Sequence, residues 1–216
     1  MKLSVTLATY NEEMHIHKCL NAIQDLADEI IIVDGKSTDR TVEIAQRFGA
    51  KIELRDNLPN FHINKQAAND MAQGEWILQL DADEVVTPEL KEEIRKLINS
   101  SQEVINNWPI NEFNKKLFMK QQHQLEMRDG EVGKKVGDVV AFFLPRMNIF
   151  LGHPMKHTGV YPDGVIRLFK NGKAHLPTKD VHEQYAVDGR VGWLNHDLEH
   201  NDSPSFDRYI KKNARY

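Results

Sequence analysis

The sequence predicts an α/β protein with a mostly parallel central sheet and helices on both of its faces. Patterns typical of strands and helices alternate through residues 1–99 of the 216-residue chain, and this order is the one that builds parallel sheets. One segment, Ile30 to Val33, is a continuous β-branched run, which is typical of a strand covered on both faces. Ligands of such sheets bind beyond the carboxyl ends of the strands, so the residues that follow each predicted strand are the first candidates for function.

Each predicted element has its own local signal. Alternating or continuous apolar runs predict four strands, in the segments Leu3 to Ala8, Ile30 to Val33, Lys51 to Leu54 and Trp76 to Leu80. Apolar residues at helical spacing predict four helices, in the segments Asn11 to Leu26, Ser37 or Asp39 to Phe48, Asn64 to Ala72 and Pro88 to Ile98. Thr87 is expected to cap the last of these helices, and Gly49 is expected to end the second.

The pattern changes after Asn99. Residues 100–137 are polar and punctuated by Gly130, Gly133 and Gly137, and they are interpreted as an insertion or mobile loop. Strand signals return at Val139 to Leu144 and Val165 to Phe169. No repeat or composition shift marks a second domain, so residues 1–216 are predicted to form a single domain.

Composition and charge exclude several classes of protein. The net charge is −4 and the pI is near 6.2, which argues against nucleic acid as the main partner. The single cysteine, Cys19, excludes an intrachain disulfide and favours a cytoplasmic setting. No apolar run is long enough to span a bilayer, so any contact with the inner face of a membrane is expected to be peripheral.

The segment Asp81-Ala82-Asp83-Glu84 follows the fourth predicted strand and precedes the helix that starts at Pro88. Two carboxylates one residue apart can bind a divalent cation, and hard oxygen ligands suit Mg²⁺ or Mn²⁺. The same letters fit the nucleophile motif of haloacid-dehalogenase-type phosphatases, but that motif belongs on a first strand. An EF-hand loop requires a glycine where Val86 stands.

The first half of the chain resembles family 2 glycosyltransferases, whose GT-A fold is a Rossmann-like nucleotide-sugar-binding fold. The resemblance rests on four stretches in the expected order, namely Thr9-Tyr10-Asn11-Glu12-Glu13, Val33-Asp34-Gly35-Lys36-Ser37-Thr38-Asp39, Asn64-Lys65-Gln66-Ala67-Ala68-Asn69 and Asp81-Ala82-Asp83-Glu84. It implies that residues 1–99 form the nucleotide-binding half and residues 138–216 the acceptor-binding half.

The second half is similar to a subgroup related to lipopolysaccharide-core glucosyltransferases. The similar stretches are Pro145-Arg146-Met147-Asn148, Gly159-Val160-Tyr161-Pro162-Asp163, Arg167-Leu168-Phe169, Val181-His182-Glu183 and Tyr209 to Tyr216. This resemblance implies an acceptor in cell-envelope glycan or glycolipid synthesis. Members of the subgroup usually continue past the last motif, so a C-terminal truncation is an expectation.

The resemblance also implies roles for individual residues. Thr9, Asn11 and Glu12 are expected to line the nucleoside pocket, and Asp34 to accept hydrogen bonds from the base. The remaining donor and metal roles are assigned to Lys65 (nucleotide or phosphates), Asp81 (ribose or metal) and Asp83 (metal). Among nucleotide-diphosphate donors UDP is favoured as the commonest in the family, while GDP, TDP and ADP stay open.

Direct displacement by an acceptor hydroxyl requires one base and inverts the anomeric centre. Glu183, in Val181-His182-Glu183, is the first candidate for this base because it lies where the family commonly carries one. Asp163 is the second candidate, although Pro162-Asp163-Gly164 also reads as a turn. Both carboxylates therefore remain candidates.

The spacing of His196 and His200 would place them on one face of a helix. Zinc hydrolases use this spacing, but their motif requires a glutamate where Asp197 stands. Many GT-A enzymes use a late histidine as a further metal or diphosphate ligand, so His200 joins Asp81 and Asp83 as a candidate metal ligand.

Three hypotheses follow from the sequence. The first is a metal-dependent inverting hexosyltransferase that joins a sugar to an acceptor hydroxyl. The second is a nucleotide-sugar-binding protein without catalysis, which retention of Asp34, Asp81, Asp83 and Glu183 argues against. The third is a metal-dependent phosphotransferase with Asp81 as its nucleophile.

Overall fold

A computed structural model describes residues 1–157, 161–177 and 184–203, together with Phe206 and Ile210. Its central sheet has ten strands, and a separate pair of short strands forms a two-stranded sheet. The strands are β1 Leu3–Thr9, β2 Glu29–Asp34, β3 Lys51–Leu54, β4 Trp76–Leu80, β5 Glu84–Val86, β6 Val139–Phe150, β7 His153–Pro154, β8 Asp163–Lys170, β9 Ala174–His175, β10 Ala186–Val187, β11 Arg190–Trp193 and β12 Leu198–Ser203.

The main sheet has the order β3-β2-β1-β4-β8-β6-β12-β5, with β11 and β7 also paired to β6. The first four strands in this order are mutually parallel. β8 then runs antiparallel to both β4 and β6. β12 is parallel to β6 and antiparallel to β5. The parallel half is therefore built from residues before position 99, and the later strands extend it with mixed pairing.

Helices cover both faces of this sheet, as the sequence predicts. The helices are α1 Ile16–Ile23, α2 Thr41–Arg47, α3 His62–Asp70, α4 Pro88–Ile98, α5 Gln102–Asn106 and α6 Glu112–Asp129. Ile30 and Ile32 of β2 belong to the core formed with α1 and α4. Ile31 and Val33, the alternate residues, pack instead against α3. The two-residue period of a strand thus explains why this continuous apolar run is buried on both sides.

Local signals of the first half are confirmed in the structure. The predicted strands Lys51–Leu54 and Trp76–Leu80 have the predicted ends. Thr87 accepts a hydrogen bond from the Leu90 backbone N–H at 3.3 Å, with Pro88 at the first helical position. Gly49 follows α2 with φ of 72°, a left-handed conformation that glycine adopts without steric cost.

The segment 100–137 differs from the predicted insertion or mobile loop. It contains α5 and the 18-residue helix α6. Phe118 and Leu125 of α6 are buried in a core with Phe143 and Trp193. A helix on a protein surface usually carries a continuous apolar stripe, with apolar residues recurring every three to four positions. Among the α6 side chains that the structure describes, these two apolar ones are buried and most of the others are polar. The sequence of this segment therefore resembles a loop.

Trp193 lies at the centre of this second core. Its ring stacks between Phe118 and Phe143, with centroids 4.4 Å from each. Gly164 of β8 permits this arrangement, since a Cβ at that position would lie 2.6 Å from Cη2 of Trp193. Trp193 is therefore a core residue rather than a platform for stacking on a sugar.

Within the described ranges, every helix is too short or too polar to cross a lipid bilayer.

Candidate active site

Asp81 follows the carboxyl end of β4 and lies between two cationic side chains. Its Oδ1 atom is 2.5 Å from Nζ of Lys65 on α3. Its Oδ2 atom accepts a hydrogen bond from Nη2 of Arg167 on β8 at 2.6 Å. Lys65 and Arg167 are both largely buried. Helix α3 and the antiparallel strand β8 therefore each contribute one cation to the same carboxylate.

Burial and neighbouring charges have opposite effects on the pKa values of Asp81 and Lys65. Burial favours the neutral form of Asp81, but the charges of Arg167 and Lys65 outweigh it and hold the pKa of that carboxyl well below its ordinary value. Burial also lowers the pKa of the Lys65 ammonium, and the nearby Asp81 carboxylate offsets only part of this effect. Asp81 is consequently an anion at neutral pH.

Glu84 fixes the loop that carries Asp81. It is fully buried, and its Oε2 atom accepts the Asp81 backbone N–H at 2.9 Å. Its Oε1 atom accepts from Nη2 of Arg167 at 2.8 Å and lies 3.6 Å from Nη1 of Arg146. A buried carboxylate is tolerated only with such partners, so Glu84 and the two arginines form one ionic network with Asp81.

Asp83 and His200 lie together on the other side of this loop. Nε2 of His200 is 3.5 Å from Oδ2 of Asp83, and the Asn201 backbone N–H donates to the Asp83 carbonyl at 2.9 Å. His200 belongs to strand β12, and His196 lies before it in a turn, so the predicted shared helix face is wrong. The antiparallel pairing of β12 with β5 brings His200 to the loop instead.

Asp83 and His200 are the candidate ligands for the divalent cation that the family resemblance implies. No cluster of three or more His, Cys, Asp or Glu side chains with metal-binding geometry exists among the described residues. Asp83 and His200 fit a cation that takes two protein ligands and completes its shell with phosphate oxygens and water. Asp81 fits less well as a ligand, because both of its oxygens contact cationic side chains.

The predicted nucleoside-binding residues lie at the ends of β1 and β2 and in the loop after β1, and these segments are hydrogen-bonded to each other. Thr9 and Asp34 are register partners at the ends of β1 and β2, and Oγ1 of Thr9 donates to Oδ2 of Asp34 at 2.7 Å. The Ser37 backbone N–H donates to Oδ1 of Asp34 at 2.7 Å. Asp34 is fully buried, so its carboxylate organises these segments, and its contact with a base stays a prediction.

Asn11 and Glu12 continue this arrangement. Oδ1 of Asn11 accepts the Thr38 backbone N–H at 2.8 Å, and the Glu12 backbone N–H donates to Oγ1 of Thr41 at 2.7 Å. Asn11 adopts a left-handed conformation with φ of 55°, which asparagine tolerates better than most residues. Asn11 is exposed and Glu12 is half-buried, so both remain candidates for contact with a ligand.

A cavity of about 590 Å³ opens beside Asp81. Its charged lining comprises four cationic and two anionic side chains, namely Lys65, Arg128, Arg146, Arg167, Asp81 and Asp163. This excess of positive charge suits an anionic ligand such as a diphosphate. Among the described residues, the lining includes three of the predicted site residues, Lys65, Asp81 and Asp163.

Of the two candidate bases, the structure describes Asp163 only. Asp163 begins β8 and is held by Arg146, whose Nη2 atom is 2.5 Å from Oδ2 of Asp163. The Asn148 side chain donates to the same oxygen at 3.2 Å. These bonds favour a positioning role for Asp163. Glu183 lies outside the described residues, so its role as the base stays a prediction.

Several site residues have no role that the sequence assigns. Glu84 and Asn148 lie within family-like stretches but are assigned no role there, and Arg128 and Tyr185 belong to no motif. The sequence leaves Arg146 and Arg167 open between phosphate binding and surface ion pairs, and the structure places them in internal ion pairs. For Arg167 the one available signal is its position inside the apolar run Val165 to Phe169, because a charged side chain at a buried strand position requires a partner.

A sheet with acidic and basic side chains gathered at the carboxyl ends of its parallel strands defines an α/β domain with one ligand-binding edge. The chain belongs to glycosyl transferase family 2, since the sequence profile of that family matches residues 4–156. The matched region contains β1 to β6 and therefore Thr9, Asp34, Lys65, Asp81 and Asp83.

Relatives of known sequence support the same assignment. The chain is 38% identical over 99 residues to an uncharacterized glycosyltransferase of Rickettsia bellii (strain RML369-C), and the match covers 46% of this chain and 33% of that protein. It is 36% identical over 93 residues to the SPbeta prophage-derived glycosyltransferase SunS of Bacillus subtilis (strain 168), covering 42% of this chain and 22% of that protein. The chain thus spans a third or less of the length of these curated relatives.

The fold also matches a solved structure. The structure of TarS from S. aureus superimposes with a TM-score of 0.53 at 16% sequence identity, over 98% of this chain and 38% of that chain. At this identity the match establishes the fold alone. It agrees with the predicted GT-A, Rossmann-like architecture.

Proposed function

We propose that the chain is the catalytic domain of an inverting glycosyltransferase, which moves a sugar from a nucleotide-diphosphate donor, with UDP favoured, to an acceptor hydroxyl. The observation that carries the proposal is Asp81, held at the carboxyl end of β4 between Lys65 and Arg167 in a family 2 chain. Strand β8, helix α3 and the loop after β4 each contribute a charged side chain to this edge of the sheet, where the donor is proposed to bind.

The chain's own side chains suggest a division of labour. Lys65 and Arg167 present positive charge at the cavity, where the diphosphate of the donor would be bound by charge-assisted hydrogen bonds. Asp81 would exchange part of its ion pair with Lys65 for a contact to the ribose. The loops of Thr9, Asn11, Glu12 and Asp34 would hold the nucleoside next to it.

A divalent cation, Mg²⁺ or Mn²⁺, is proposed at Asp83 and His200. Bound there, it would neutralise negative charge on the departing diphosphate. The residues fit this cation because a carboxylate oxygen and an imidazole nitrogen lie 3.5 Å apart.

The first experiment is a thermal-shift panel of UDP, GDP, TDP, ADP and CMP, each with and without Mn²⁺. A ligand that binds only the folded state raises the melting temperature, and we expect the largest rise for UDP with Mn²⁺. CMP, which has a different base and a single phosphate, is the nucleotide of the panel without a diphosphate. A folded protein whose melting temperature responds to none of the nucleotides would contradict the proposed donor site.

A second experiment separates catalysis from binding alone. Release of UDP from a UDP-sugar in the presence of Mn²⁺ is expected from a transferase, because slow hydrolysis replaces transfer when no acceptor is added. Binding of the UDP-sugar without release under any acceptor condition would favour a nucleotide-sugar-binding protein.

Glu183 is proposed as the base that removes the proton of the acceptor hydroxyl. Glu183→Gln should lower the turnover number while donor binding persists, because the amide cannot accept a proton. Glu131→Gln, a change at an exposed glutamate that is paired with Lys135, is the control. Weakened nucleotide binding with an unchanged turnover number would contradict the assignment and return Asp163 as the candidate.

The proposed acceptor is a cell-envelope glycan or a lipopolysaccharide precursor, at the inner face of the cell membrane. The similarity of the second half to lipopolysaccharide-core glucosyltransferases supports it. Contact with the membrane is proposed to be peripheral.

A further inference from the structure

Three strands place Asn148, His200 and Glu84 in one row of the sheet. β12 lies between β6 and β5. His200 of β12 is the register partner of Asn148 on β6 and of Glu84 on β5. Register partners in neighbouring strands present their side chains on the same face, at a separation of roughly 5 Å. The sheet itself therefore determines which side chain reaches the His200 ring.

A chain of short contacts runs from Arg146 to Asp83 through these residues. Nη2 and Nε of Arg146 donate to Oδ2 of Asp163 at 2.5 and 3.0 Å. Nδ2 of Asn148 donates to the same oxygen at 3.2 Å. Oδ1 of Asn148 lies 2.6 Å from Nδ1 of His200. Nε2 of His200 then lies 3.5 Å from Oδ2 of Asp83.

The chemistry of these groups determines where the protons are. Asp163 is ion-paired with Arg146, and an ionised carboxylate only accepts hydrogen bonds. The atom of Asn148 that contacts Asp163 must therefore be the amide NH₂ group, which leaves the carbonyl oxygen facing His200. A carbonyl oxygen also only accepts, so Nδ1 of His200 must carry the hydrogen.

A neutral imidazole carries one N–H. With the hydrogen on Nδ1, the lone pair of His200 is on Nε2, the nitrogen that lies beside Asp83. Metal-bound histidines almost always donate their other ring N–H to a fixed acceptor, which sets the tautomer and orientation of the ring. Asn148 occupies the place of that acceptor.

We propose that Asn148 is a positioning residue that is oriented by Asp163 and fixes His200 as the Nδ1–H tautomer. In this tautomer, Nε2 of His200 and the Asp83 carboxylate form a pair of ligands for one divalent cation. The separation of 3.5 Å between the two ligand atoms is compatible with metal–ligand bonds of about 2.1 Å each. The identity of the cation as the Mg²⁺ or Mn²⁺ of the donor complex rests on the proposed function.

The tautomer is measured first, on the unchanged protein. Long-range ¹H–¹⁵N spectra of ¹⁵N-labelled protein at pH 8, where an ordinary histidine is neutral, distinguish the two tautomers, and loss of one signal set in His200→Gln assigns His200. We expect His200 as the Nδ1–H form, with selective broadening of its Nε2 signal on addition of Mn²⁺ alone. Detection of His200 in the Nε2–H form would overturn the proposal.

The role of Asn148 is measured next by Mn²⁺ binding, followed through the electron paramagnetic resonance of the free ion. Asn148→Leu has a similar shape but removes both hydrogen bonds. It is expected to abolish the Nδ1–H preference and to weaken Mn²⁺ binding by roughly 10- to 100-fold, the usual effect of losing an outer-shell partner. Asn107→Leu, at an exposed asparagine whose side chain bonds only to the Glu103 carbonyl among the described residues, is the matched control.

Unchanged Mn²⁺ affinity in a folded Asn148→Leu protein would also overturn the proposal. These readouts need neither a donor nor turnover. Absence of glycosyl transfer, with the tautomer and the Mn²⁺ results as expected, would therefore contradict the proposed function while leaving this inference intact.

Discussion

Arg167 of β8 donates to the Asp81 carboxylate at 2.6 Å, although the two residues are 86 positions apart in the sequence. The same guanidinium donates to Oε1 of Glu84 at 2.8 Å and to Oε1 of Gln79 at 2.6 Å. Its pKa is raised, because the nearby Asp81 and Glu84 carboxylates outweigh the opposing effect of burial. One buried cation thus holds together the loop that bears the acidic motif.

Loss of Arg167 should therefore destabilise the fold as well as the site. Arg167→Met leaves the buried Glu84 carboxylate and the half-buried Asp81 carboxylate without their main cation, and breaking a buried pair in this way costs about 3–5 kcal/mol. Urea denaturation measures the change in the free energy of unfolding. Arg47→Met, which removes an exposed ion pair with Glu43, should have almost no effect. Equal stability of the two variants would show that the network contributes nothing.

The pH dependence of the Asp81 ion pairs has a defined sign. The pKa of Asp81 is depressed in the folded protein, so its ionised form contributes stability above the unfolded pKa of about 3.9. That contribution is lost as pH falls through the folded value. The stability difference between wild type and Asp81→Asn, measured by denaturant titration, should be level from about pH 7 to pH 5 and shrink only below about pH 4. A difference that grows on acidification would contradict the assigned ion pairs.

Asp83→Asn tests the proposed cation site directly. The variant keeps the size of the side chain but removes the charge of a proposed metal ligand. Loss of an outer-shell partner lowers activity by up to roughly 100-fold, so loss of a direct ligand should lower Mn²⁺-dependent turnover by more than this. The melting temperature without metal should stay unchanged, because Asp83 lies in a partly exposed loop. Asp70→Asn, on the exposed side of α3, is the control. Wild-type turnover in Asp83→Asn would exclude the metal role.

Gly164→Ala tests the core under the site. The new Cβ would lie 2.6 Å from the Trp193 ring, and overpacking of this kind costs about 1–3 kcal/mol. Thermal unfolding and near-ultraviolet circular dichroism report the stability and the Trp193 environment. Gly172→Ala meets no atom within 4 Å but has φ of 74°, so it isolates the backbone cost of about 1–2 kcal/mol. A near-ultraviolet spectrum of Gly164→Ala identical to that of wild type would argue against the close Gly164–Trp193 contact.

The sequence predicted the parallel half of the fold in the correct order, with strand bounds within one residue, and it located the acidic motif after β4. The first helix, Ile16–Ile23, is shorter than the predicted segment Asn11 to Leu26. It did not predict α6, because a helix with few buried apolar residues and many exposed polar ones resembles a loop. It also placed His196 and His200 on a helix, since a spacing of four residues carries no information on whether the segment is helical or extended.

By itself, the sequence determined which residues end the parallel strands, because caps, breakers and apolar periods are local properties of the chain. Only the tertiary structure decided which charges meet there. The cationic partners of Asp81 come from α3 and β8, and Asn148, which contacts His200, comes from β6. These contacts depend on the register of strands that are distant in the chain, and register is determined by packing of the whole sheet rather than by any local pattern.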